Sequence, residues 1–183
     1  MARGLLIIDI QRDYFEGGAY PLVGPEAAAD ATQRVLAAFR AGAEPVVHLQ
    51  HVWDAPDASF MRPGTDGVEI HPLVAPASGE LVLEKAAPNG FLHTALEDEL
   101  RTRGIDELVV AGMMSSMCVD ATVRAAVDRG FKATVVHDGC AAPDLEFGGT
   151  QVPGATVHAA FMAALADGYA TVVSADELLS DDA

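Results

Sequence analysis

Short, almost continuously apolar runs, each followed by an amphipathic stretch of helical period, recur along this chain. That alternation constrains the fold more than any other feature. The strand candidates are residues 5–10, 45–50, 81–85, 107–111, 133–137 and 171–174. A strand that is apolar at consecutive positions is covered on both faces, as in a parallel sheet clothed by helices. The helices between the strands have readable faces and ends. Gly24-Pro25 opens the first, Val35 and Phe39 share its inner face, and Gly42 closes it. A second carries Leu92, Ala95, Leu96 and Leu100 and stops at Gly104, and a third carries Val119, Val123, Ala126 and Val127, with Gly130 just past its end. A fourth follows Pro153 and aligns Val157, Phe161 and Leu165, and Ser174 with Glu177 forms a capping box for a short last helix. The expectation is one three-layer α/β domain over residues 1–183: a six-stranded, mostly parallel sheet of Rossmann-like topology, flanked by helices.

Composition excludes more than it identifies. Acidic residues outnumber basic ones 27 to 11, for a net charge of -16, which disfavours nucleic acid and anionic membrane surfaces as partners. No apolar run reaches membrane-spanning length, and the start of the chain lacks a signal-peptide cleavage region. The 2 cysteines lie far apart, giving neither a disulfide framework nor zinc-ligand spacing, so a reducing cytoplasm is the expected home.

In a sheet of this kind, chemistry sits just past the carboxyl ends of the strands. Asp9 at the first strand, Lys85 at the third and Cys118 after the fourth all meet that condition. Taken singly, each has a bland alternative: a turn-stabilising Asp, a solvated Lys, a small buried Cys. The surrounding residues sharpen the reading for the cysteine. A glycine-led loop from Gly112 delivers Cys118 to the start of a helix, with Ser115 or Ser116 as N-cap. There the unpaired N–H groups favour a thiolate and can hold an oxyanion. Only Lys85 and Lys132 are lysines, against nine arginines, so a lysine at the site suggests a compact ammonium tuning a carboxylate or thiolate. The stretch 51–76, with four prolines, reads as a long loop across the same edge.

Three motifs resemble those of the isochorismatase-like cysteine hydrolases. They are Leu6-Ile7-Ile8-Asp9-Ile10-Gln11 with Asp13-Tyr14-Phe15, Lys85-Ala86-Ala87-Pro88-Asn89-Gly90-Phe91, and Gly112 through Cys118 to Thr122. The resemblance runs nearly the whole chain, in order. It implies an Asp9-Lys85-Cys118 triad in which Cys118 attacks a carbonyl carbon and Asp9 moves the proton. It also implies a cis peptide at Met113–Met114 and an oxyanion hole from the N–H groups of Met114 and Cys118. True isochorismatases lack the cysteine, so Cys118 places the resemblance on the amidase branch. The implied activity is hydrolysis of a C–N bond in a small molecule through an acyl-thioester. A lactam, ureido or ester bond, or a non-enzymatic thiol protein, remain as alternatives.

Nicotinamidases of this family bind a metal through an Asp-x-His pair. The stretch from His48 to Asp54 does not reproduce it, so no metal and no cofactor are expected, although His51, Asp54, Asp57 and His71 are conceivable ligands. Gln11, Phe15, Gln50, His51 and Phe91 are candidates for the substrate pocket, together with Trp53 and Phe60; packing in the core is the competing role for the aromatic residues. Cys140, His137 and His158 have no catalytic context in the sequence. Similar proteins are homo-oligomers, so a dimer or tetramer is expected.

Overall fold

A computed structural model describes residues 2–181, with side-chain detail to residue 180; of the expected 1–183 domain, Met1, Asp182 and Ala183 lie outside the described residues. One sheet organises the chain. Its strands are β1 (Ala2–Ile8), β2 (Val46–His51), β3 (Leu81–Lys85), β4 (Ile105–Met113), β5 (Lys132–Ala141) and β8 (Thr171–Val173), in the order β3-β2-β1-β4-β5-β8. All five pairings are parallel, so "mostly parallel" understates the result. The helices are α1 (Pro25–Ala41), α2 (Leu96–Thr102), α3 (Asp120–Asp128), α4 (Gly154–Gly168) and α5 (Ala175–Asp181).

Alternation along β1 divides its side chains between two cores. Leu5 and Ile7 face a cluster with α1 and α5, through Val35, Leu36, Phe39 and Leu178. Leu6 and Ile8 face the opposite cluster with α2, α3 and α4, through Leu96, Leu100, Val123 and Leu165. Each fully buried side chain of this size contributes about 2 kcal/mol of hydrophobic stabilisation, so the central strands are the least dispensable part of the chain. No helix among the described residues is long and apolar enough to cross a membrane.

Several local readings shift. The second helix starts only at Leu96, because the Asn89 side chain accepts the Phe91 N–H at 2.9 Å and His93 adopts a φ of 58°, leaving Leu92 exposed. β5 runs on past residue 137 to Ala141 through an irregularity in its pairing with β4. A hairpin absent from the expectation, β6 (Leu145–Phe147) and β7 (Thr150–Val152), projects beyond it. The capping box holds: the Ser174 backbone N–H donates to the Glu177 carboxylate at 2.7 Å, and the Glu177 N–H donates back to the Ser174 hydroxyl at 3.2 Å.

The loop after β2 is pinned rather than free. The His71 N–H donates to the Ile10 carbonyl at 2.8 Å, and the Met61 N–H donates to the Asp13 carboxylate at 2.5 Å. Trp53 and Phe60, expected at the pocket wall, instead pack on each other at 5.3 Å, and Phe60 stacks on Tyr20 at 5.0 Å. These rings staple the loop across the carboxyl edge of the sheet.

Candidate active site

Three strand ends converge. Asp9 follows β1 with a φ of 49°, a left-handed conformation that Asp tolerates better than most side chains, and it is wholly buried. Lys85 ends β3 and is also buried. Cys118 sits in a π-helical turn, Ser115–Val119, between β4 and α3. Lys85 Nζ is 2.7 Å from Asp9 Oδ2, 3.3 Å from Cys118 Sγ, 3.0 Å from the Ala87 carbonyl and 3.0 Å from His51 Nδ1. The triad named from strand ends is thus one contact cluster, and the ammonium is its hub.

Gly112 makes the close approach of the strands possible. Its φ is 146°, and a Cβ there would lie 2.1 Å from the Ile8 carbonyl oxygen, so any side chain would push the loop that leads to Cys118 off β1. The peptide Met113–Met114 is cis, as the resemblance implied. The Met114 carbonyl accepts the N–H groups of Met117 and Val119 at 3.1 and 3.2 Å. Thr122 on α3 ties the Cys118 segment to the Lys85 segment: its hydroxyl accepts the Gly90 N–H at 2.9 Å and donates to the Pro88 carbonyl at 3.3 Å.

Protonation follows from burial. Desolvation raises the Asp9 carboxyl above its ordinary range against the lowering pull of Lys85. Desolvation alone would depress Lys85, but Asp9 and Cys118 together lift the ammonium above its ordinary value. Burial, reinforced by Asp9, pushes the Cys118 thiol up as well. Burial thus favours a neutral thiol at Cys118, beside the Lys85 ammonium and the Asp9 carboxyl. The expectation that the helix start would favour thiolate is not met: burial, then the Asp9 carboxyl, raise the thiol. Besides the Lys85 ammonium, the Cys118 thiol and the His51 backbone also act on the Asp9 carboxyl and lower it, yet burial prevails.

The second expected correction concerns capping. Neither Ser115 nor Ser116 is the N-cap; Met114 occupies that place with no side-chain bond, and the Ser115 hydroxyl instead meets Nδ1 of His158 at 2.8 Å. His158 thus has a partner in the turn that holds Cys118, which the sequence did not signal.

The pocket candidates separate. The Gln11 amide bonds His51 edge to edge: its carbonyl accepts the His51 N–H at 2.8 Å, while its NH2 group donates to the carbonyls of His51 at 2.8 Å and Val68 at 2.7 Å. Gln11 is buried and spends these groups holding His51 in place. Phe15 is buried and stacks on His71 at 3.9 Å. Phe91 lies in the core, 5.9 Å from the Phe131 ring and under the Arg129 guanidinium, so packing claims it rather than the pocket. A cleft of about 440 Å³ is lined by Val52, Asp54, Glu84, Lys85, Leu92 and His93 among others. Gln50 lines an adjoining cleft that shares Val52, Asp54 and Glu84. Half-buried His51 touches Lys85, and burial and Lys85 bring its pKa down to about 4, so it is neutral near pH 7.

Asp9, His51 and Cys118 present ligand atoms within 4.8 Å of one another, the one such group of three among the described residues. The Lys85 ammonium contacts all three, so a metal ion there would have to displace a cation already in place. Of the other conceivable ligands, His71 is engaged with Phe15, and its Nδ1 accepts the Leu73 N–H at 3.4 Å.

Comparison with known proteins shows the family. The family model for the isochorismatase domain matches residues 3–177. The isochorismatase family protein YddQ of Bacillus subtilis is 47% identical over 98% of this chain and 99% of its own. The crystal structure of an isochorismatase hydrolase from Oleispira antarctica superposes with a TM-score of 0.94, at 49% identity over 98% of this chain and 96% of that one. N-carbamoylsarcosine amidase from Thermoplasma acidophilum superposes with a TM-score of 0.81, at 28% identity over 96% of this chain and 98% of that one.

Proposed function

The chain belongs to the isochorismatase family of hydrolases, and from that premise we propose that it cleaves a C–N bond of a small amide through a covalent Cys118 thioester. The observation that carries this reading is the contact of Lys85 with both Asp9 and Cys118 inside a buried cluster. A relative that is by name an amidase, N-carbamoylsarcosine amidase, supports the choice of bond.

The residues divide the work as follows. Cys118 Sγ attacks the amide carbonyl carbon as its proton passes to Asp9 Oδ1, whose raised pKa suits it to hold that proton. Lys85 stays charged and offsets first the carboxylate, then the developing thiolate. The N–H groups of Met114 and Cys118 receive the oxyanion. Collapse of the tetrahedral intermediate breaks the C–N bond, and Asp9 returns the proton to the leaving amine. Water, deprotonated by Asp9, then hydrolyses the thioester, which releases the acid and restores the thiol. His51, neutral and accepting from Lys85 at Nδ1, keeps a proton on Nε2 and offers it as a donor to substrate. Gln50 lines the approach, while Gln11 and Phe15 shape the site from behind.

The deciding experiment is ammonia release from a panel of primary amides and ureido compounds, with Cys118→Ala beside the wild type. Turnover lost in the variant supports the nucleophile and identifies the substrate class. Turnover surviving Cys118→Ala would refute the mechanism.

A further inference from the structure

Ser115 is a buried hydroxyl that the reaction does not use, and its partner lies on α4, whose Met162 and Leu165 share the core cluster of Cys118. Its Oγ is 2.8 Å from Nδ1 of His158 on α4, 43 residues away. Ser115 has 0% exposure, opens the π-helical turn directly after Met114, and receives no help from a cap at that end. Burial, then the nearby His137, holds the His158 imidazole below its ordinary pKa, so near neutral pH it is uncharged and one ring nitrogen can accept the hydroxyl proton. Cys118 follows Ser115 by three residues, about one helical turn, so a displacement at the serine carries to the thiol. A buried hydroxyl that loses its partner seeks another one, and the turn is where it can move.

We propose that His158 is a positioning residue for the nucleophile: through the Ser115 hydroxyl it fixes the π-helical turn that presents Cys118 Sγ to Lys85 and Asp9. The inference rests on the reading of Cys118 as the nucleophile, but its test does not need a substrate. The predicted consequence of breaking the link is a slower thiol, because Sγ drawn away from Lys85 loses the cation that stabilises its ionised form.

The measurement is the rate of Cys118 alkylation by iodoacetamide at fixed pH, followed at that residue by peptide mass spectrometry. His158→Phe and Ser115→Ala are each expected to slow alkylation about tenfold. The double variant is expected to be no slower than either single one, because both remove the same link. His158→Asn, whose side-chain carbonyl can stand near the position of Nδ1, is expected to return to within about threefold of wild type. A structural defect alone would not be rescued in this way. Wild-type rates in Ser115→Ala, additive losses in the double variant, or an Asn variant no better than Phe would each overturn the proposal. Should His158→Phe not fold, Ser115→Ala and His158→Asn carry the comparison. Failure of the nucleophile reading would show separately, as turnover that survives Cys118→Ala.

Discussion

The strands β2 and β3 carry a polar cluster at each end, and the two clusters treat a carboxylate in opposite ways. Near the amino ends, Glu80 accepts from Arg40 at 2.7 and 2.8 Å, from the Ala77 N–H at 2.8 Å and from His48 Nε2 at 2.9 Å. With its lone pairs filled, chiefly by Arg40, its pKa falls to about 2. At the carboxyl ends, Asp9 meets Lys85 at 2.7 Å, and Cys118 and the His51 backbone also lower it, yet burial drives its pKa up. Both acids have a cationic partner, so an ion pair alone does not set which way a carboxylate shifts. What differs is the balance: the bonds from Arg40 outweigh desolvation at Glu80, whereas full burial outweighs the partners of Asp9 and readies it to take a proton.

The hardest test of this contrast replaces each acid by its amide. Asp9→Asn is expected to lower turnover on whichever amide the panel identifies by about 10³-fold, since proton transfer by a positioned side chain contributes that order of rate. Glu80→Gln is expected to keep turnover within about twofold and to lose stability instead, by about 1–3 kcal/mol, because Arg40 and His48 keep a weaker acceptor. Equal losses of turnover in the two variants would erase the distinction.

A smaller effect sharpens the Asp9 side. Asp9 is among the causes that raise the Cys118 thiol, whereas Lys85 lowers it. Asp9→Asn should therefore move the pH profile of Cys118 alkylation to lower pH even as turnover is lost. An alkylation profile unmoved by Asp9→Asn would mean that the two groups are not coupled and would favour a thiol with no catalytic role.

How much of this was legible in the sequence depends on whether the signal was local. The six strands and the ends of α1, α3 and α5 could be read because apolar runs, Gly130 and the Ser174–Glu177 pair encode them within a few residues. The contact of Asp9, Lys85 and Cys118 could be expected because strand ends fix where Asp9 and Lys85 must point. The β6–β7 hairpin was missed: its two three-residue strands are largely exposed and leave no burial pattern, and Gly148-Gly149 at the turn was its only cue. Leu92 misled because it sits at helical spacing before α2 yet faces solvent. The links between His51 and Lys85, and between Ser115 and His158, join residues 34 and 43 positions apart, and nothing in either local sequence announces its partner. Phe91 shows the reverse error, where proximity to a motif suggested substrate contact for a ring that the core had claimed.

The smallest effect is one of slope. Glu80 binds its proton less readily when folded, so its contribution is complete above its ordinary value of 4.5 and is lost as pH falls toward about 2. His48, lowered chiefly by burial, acts in the same direction as pH drops below its ordinary 6.5. Asp9 runs the other way: its folded value is raised, so its contribution is complete below its ordinary 3.8 and is lost as pH rises through the folded value. Urea unfolding between pH 7 and about 3 should then show Glu80→Gln flattening the acid limb of the stability curve and Asp9→Asn steepening it. Slopes shifted in the same direction by both variants would mean that the two carboxylates are held alike after all.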